Sequence, residues 1–77
     1  MKTRNVISRK DTVKAIAYNN DNVMCIVYDS GFNSVNEVIN ELKRRSSGWL
    51  KPITIVYIIN YDRGTSGRYN SNGRRID

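Results

Sequence analysis

Five tyrosines and one tryptophan stand close to short runs of lysine and arginine in this chain, and these side chains have the most chemistry to offer. Lys2, Arg4, Arg9, Lys10 and Lys14 lie near the start, Lys43, Arg44, Arg45 and Lys51 in the middle, and Arg63, Arg68, Arg74 and Arg75 in the last segment. Tyr18, Tyr28, Trp49, Tyr57, Tyr61 and Tyr69 are interspersed among them. Lysine and arginine neutralise phosphates, and an exposed tyrosine or tryptophan stacks on a base, so this mixture is what a nucleic-acid surface requires. The plain alternative is a helix end made basic for its dipole, tyrosines in a core, and a solubilising tail.

Groups for covalent or acid–base catalysis are scarce. The chain has no histidine, which removes the commonest general base and the commonest transition-metal ligand together. Cys25 is the single cysteine, so no internal disulfide, ordinary zinc site or Cys-His nucleophile pair can form. Its apolar neighbours predict a buried, inert thiol, and a reducing, cytoplasmic setting is the default. Asp11, Asp21, Asp29, Glu37, Glu41, Asp62 and Asp77 are scattered, whereas a magnesium or two-metal site needs carboxylates that converge. Asp29 and Asp62 follow two predicted strands and read as turn residues at one sheet edge. Residues 62–68, Asp-Arg-Gly-Thr-Ser-Gly-Arg, offer glycine backbone and arginine side chains to a phosphate but match no Walker or dinucleotide pattern. A non-enzymatic protein with no cofactor and no metal is therefore expected. Small ribosome-dependent RNA-cleaving toxins manage without histidine, but they usually place helices before the main sheet, and this chain opens on a hairpin.

The elements that carry these side chains follow from periodicity. Residues 12–18 and 23–28 are rich in β-branched and aromatic types and flank Asn19-Asn20-Asp21-Asn22, a cluster that tolerates left-handed backbone and predicts a hairpin turn. After Gly31 the period changes, and Val35, Val38, Ile39 and Leu42 mark one face of a helix over residues 34–46. Ser34 and Glu37 fit a capping box, and Lys43, Arg44 and Arg45 suit the negative end of the dipole. Pro52 introduces a third strand over residues 53–61 whose run 55–59 is apolar on both faces, as expected of a central strand covered on both sides, or of one covered by the helix on one side and by a partner on the other. A sheet with the third strand antiparallel to the first and parallel to the second satisfies the crossover rule. Residues 5–8 are a candidate short fourth strand.

The expected fold is thus α+β: a small three- to four-stranded, mainly antiparallel sheet with one helix on one face, spanning residues 1–61. Residues 62–77 form a basic Gly-, Asn- and Arg-rich segment, either a tail or a small hairpin closed by Asn72-Gly73. At 77 residues a second domain is implausible. The hydrophobic share of 39% against 26% charged places the chain on the globular side. Its longest apolar run, residues 55–59, is far short of the ~20 residues that span a bilayer, so no membrane role is expected.

The 13 Lys and Arg against 7 Asp and Glu give a net charge of +6 and predict a binding protein directed at nucleic acid or nucleoprotein. The expected contact set is Lys43, Arg44, Arg45, Trp49, Lys51, Arg63, Arg68, Tyr69, Arg74 and Arg75, with Tyr57 and the tryptophan ring leaning towards the core. The alternative is a host protein as partner, or a homodimer through an exposed sheet edge or apolar sheet face. In composition alone, small size, abundant asparagine and few catalytic groups resemble products of phages and mobile elements, among them anti-CRISPR and other host-takeover inhibitors.

Overall fold

The computed structural model describes residues 7–47 and 52–76. Strands β1 (Val13–Asn19) and β2 (Asn22–Asp29) form a hairpin whose two-residue turn places Asn20 in the left-handed region at φ 54. Asparagine accepts that backbone at little cost, which is why the turn falls within the Asn-Asp cluster. Beyond β2 the helix α1 (Val35–Arg45) crosses one face, and β3 (Ile55–Asn60) and β4 (Thr65–Tyr69) complete an antiparallel sheet of order β2-β1-β3-β4. The helix therefore carries the chain from edge strand β2 over to β3, on the far side of β1, as the crossover argument requires.

Helix α1 starts where the sequence places it. Ser34 Oγ accepts from the backbone N–H of Glu37. The Glu37 carboxylate reaches back to the N–H of Asn33 at 3.3 Å, one residue beyond the usual reciprocal partner. At the far end the Leu42 carbonyl accepts both the Ser46 N–H at 3.0 Å and the Ser46 hydroxyl at 2.8 Å. Val38, Ile39 and Leu42 are buried, and Val35 packs against the cluster from the margin.

Strand alternation separates two faces. Val13, Ala15 and Ala17 of β1, Val27 of β2, Val56 and Ile58 of β3 and Tyr69 of β4 are buried beneath the helix side. Two alanines on the central strand leave room for α1 to approach the sheet closely. The helix packs on β1 and β2. Beside it the chain after β4 folds back, with Tyr69 bridged to Arg75 and the Asn70 N–H bonded to the Arg74 carbonyl. Gly73 in that turn lies so near the helix that a Cβ there would run into Asn36 Oδ1.

Two expectations are corrected. The fourth strand is β4, within the segment that composition marked as tail-like, and Ile7 and Ser8 are in no strand; Asn5 and Val6 lie outside the described residues. Tyr69, expected as a contact, is 5% exposed and belongs to the core, because β4 pairs with β3 and places it opposite Val56. Among the described residues no helix is long and apolar enough to cross a membrane.

Candidate nucleic-acid interface

The other face of the sheet has no element over it among the described residues. Its side chains line up in rungs fixed by register. One rung runs Tyr28, Lys14, Ile59, Ser66 across β2, β1, β3 and β4, and the next runs Ile26, Ile16, Tyr57, Arg68. A third places Val23 beside Tyr18 and Ile55, after a bulge at Met24 shifts the β1–β2 register. Val23, Ile26 and Tyr28 on the β2 edge are 54%, 49% and 64% exposed, so a broad apolar and aromatic surface faces solvent. Monomeric proteins seldom leave such a patch without a use.

Both ends of the face are aromatic. Tyr28 and Tyr61 form a tilted pair with ring centroids 5.7 Å apart. At the other end Tyr18, Tyr57 and Ile55 form the floor of an open groove of about 550 Å³, bounded by Asn20, Asp21, Ser66 and Arg68. The wall at Asn20 and Asp21 is tied to the residues just before β3. The Thr54 N–H and hydroxyl both donate to the Tyr18 carbonyl, and the Thr54 oxygen accepts from the Asn20 N–H at 2.8 Å. Asn19 adds a bond from its amide to the Pro52 carbonyl. Tyr57 thus lines a half-exposed groove, which corrects its expected place in the core.

The cations do not gather on one face. Lys14 and Arg68 stand on the open face, in no ion pair among the described residues. Arg44 and Arg45 both bind Glu41 on the helix, the first with two bonds of 2.9 and 2.6 Å. These bonds, chiefly that from Arg44, hold the Glu41 carboxyl down at about 2. Lys43 is exposed beside a small hollow formed with Ser46, Pro52, Ile53 and Ser71. Arg74 is exposed, and the Arg75 guanidinium donates to the Ser66 carbonyl and covers Gly67. Trp49 and Lys51 lie outside the described residues.

Arg63 is engaged internally. Its Nε donates to Asp11 Oδ2 at 2.7 Å, and the same oxygen accepts from the Asn60 amide and the Ser8 N–H. Asn60, fully buried, offers its own carbonyl to the N–H groups of Asp62 and Arg63, and Asp62 accepts from the Thr12 N–H. The Asn60 amide first, and the Arg63 guanidinium second, hold the Asp11 carboxyl well below the usual carboxylate range. The segment expected to offer a phosphate cradle is a β3–β4 hairpin loop whose Asp62 and Arg63 side chains fasten it to the start of β1.

Cys25 is half-buried against the core. Among the described residues no three acidic or cysteine side chains converge as metal ligands.

The expected contact set held Arg68 but left out the residues that share the open face with it: Lys14, Tyr18, Tyr28, Tyr57, Tyr61, Asn20 and Asp21. The overlooked signal is parity. In β1 the charged Lys14 and the ring of Tyr18 alternate with Val13, Ala15 and Ala17, so the polar member of the strand marks which set faces outward.

Comparison with protein-family models, with curated proteins and with solved structures finds no match for this chain.

Proposed function

We propose that this is a non-enzymatic binding protein of the cytoplasm that lays a single strand of nucleic acid across the open face of its sheet. The observation that carries the reading is the alternation of ring and cation along the rungs: Tyr57 stands opposite Arg68 and Tyr28 opposite Lys14. Rings on strands stack on unpaired bases, and the flanking cations meet the phosphates between them. A duplex hides its base faces, so it gains from the cations alone. Tyr18 and Tyr57, on the two central strands, are the stacking residues of the groove, and Tyr28 with Tyr61 continues the track at the opposite end.

The test is a fluorescence-anisotropy titration with unstructured single-stranded RNA and DNA and with a duplex, over a salt series. Single strands are expected to bind more tightly than the duplex, with affinity falling steeply as salt rises. Tyr57→Ala is expected to cost about 1–3 kcal/mol of binding. Arg68→Ala is expected to reduce the salt slope by about one. Arg44→Ala, on the helix side, is the control and leaves binding close to wild type. Absence of binding at low salt overturns the proposal, as does greater sensitivity to Arg44 than to Arg68.

A second reading gives the edge of β2 to another protein chain. It is favoured by the exposure of Val23, Ile26 and Tyr28 along an edge strand that bears no lysine or proline. The host-protein inhibitor and the homodimer belong here. Light scattering distinguishes the homodimer: a mass of two chains that returns to one on changing Ile26 to Lys supports it, and a monomer at every concentration removes it.

A further inference from the structure

A carboxylate is out of place in a groove meant for a polyanion. Asp21 nevertheless lines the groove beside Tyr18 and Tyr57, and among the described residues its side chain has no hydrogen-bond or ion-pair partner. The turn that carries it is pinned through Asn20 to Thr54 and through Asn19 to Pro52, so the backbone of this wall is held in place while the exposed carboxylate is free to meet a ligand. Arg68 and Ser66 occupy the opposite wall, with the two rings between. A strand stacked on those rings can set its phosphates towards Arg68 and present base edges to Asp21.

Taking the open face as a nucleic-acid platform, we infer that this groove selects guanine, with the Asp21 carboxylate accepting from the N1–H and the 2-amino group of the stacked base. An ionised carboxylate only accepts hydrogen bonds, on two parallel oxygens. Guanine alone among the common bases places two adjacent donors on its Watson–Crick edge. Adenine and cytosine each set one amino group beside a bare ring nitrogen that repels the second oxygen, and uracil flanks its single N–H with carbonyls. Asn20, on the same wall, has an amide that can reach the neighbouring O6 as a donor. The groove's volume of about 550 Å³ is ample for one purine.

The experiment uses the full chain and short oligouridylates that carry one central guanosine, inosine or adenosine, in ribose and deoxyribose forms, read by anisotropy at one moderate salt concentration. The guanosine oligomer is expected to bind roughly five- to a hundredfold more tightly than the adenosine one, the range given by one bidentate pair. Inosine, which keeps N1–H but lacks the 2-amino group, is expected to fall between them. Asp21→Ala and Asp21→Asn are expected to abolish the preference while leaving the oligouridylate affinity equal or slightly higher, since a negative charge is gone. Circular dichroism of both variants confirms that the hairpin persists. Equal affinity for all three oligomers, with binding still dependent on Tyr57, overturns the guanine inference alone and leaves the platform reading standing. A preference that survives in both Asp21 variants overturns it too. Failure of every oligomer to bind the wild-type protein sinks both.

Discussion

The two faces of one sheet are built from alternate residues of the same strands, yet they obey different chemistry. On the covered face β1 offers Val13, Ala15 and Ala17 and β3 offers Val56 and Ile58, all fully buried. On the open face the same strands offer Lys14, Ile16 and Tyr18, then Ile55, Tyr57 and Ile59, which are half-buried by their neighbours alone. Two alanines sit where the helix approaches, and tyrosines, isoleucines and a lysine where no described element covers them. The sheet needs only one apolar face to fold, so the size and chemistry of the other are free to serve a ligand.

The strongest way to break this contrast is a pair of adjacent substitutions on β3. Ile58→Ala deletes a fully buried side chain and is expected to cost about 2–5 kcal/mol. That is a large share of the few kcal/mol available to a domain of roughly this size. Ile59→Ala, one residue along, is expected to cost about 1 kcal/mol or less. Urea denaturation followed by circular dichroism reads both, and equal losses would mean that the open face is covered in solution.

A smaller effect tests how the covered side is completed. Gly73 has φ 89 and faces Asn36, whereas Gly31 has φ 97 with open space around it. Gly73→Ala is expected to cost the strain of the left-handed backbone, about 1–2 kcal/mol, plus the smaller cost of turning the exposed Asn36 side chain aside; Gly31→Ala should show the first part alone. Matching melting points for the two variants would show that the turn does not press on α1.

The gentlest probe is acid. The carboxyls of Asp11 and Glu41 are held below their ordinary values of 3.8 and 4.5, so each stabilises the fold above its ordinary value. Each contribution fades as pH falls through the depressed one. Stability is expected to be flat from neutrality to about pH 4.5 and then to decline towards pH 2, in step with Glu41 and, lower still, Asp11. Asp11→Asn should lower stability at neutral pH and flatten the lowest part of that decline. An unchanged acid limb in this variant would show that the Asp11–Arg63 link across the sheet end adds nothing.

Much of the fold was legible in particular residues. Asn19-Asn20-Asp21-Asn22 marked the first hairpin, and Ser34 and Glu37 the helix start, because each is a local preference that tertiary structure had no reason to override. Strand β4 was not legible: Thr65, Ser66, Gly67 and Arg68 lack an apolar alternation, and they form a strand because β3 has an unpaired edge beside a short hairpin loop fixed by Asn60. The candidate site was hidden for the same reason. Runs such as Lys43-Arg44-Arg45 are conspicuous in sequence, but Glu41 partly neutralises that one, whereas Lys14 and Arg68 are inconspicuous singly and meet the tyrosines only through cross-strand register.

By itself, the sequence determined the first hairpin, the helix, the third strand and which helical face is apolar, since these depend on backbone preferences and periodicity within a few residues. The tertiary structure decided that Tyr69 is core, that Arg63 is tied to Asp11, and that Tyr18, Tyr57, Arg68 and Asp21 share one groove. Those facts depend on distances between residues dozens of positions apart, and such distances are set by strand pairing and the closing of the chain upon itself.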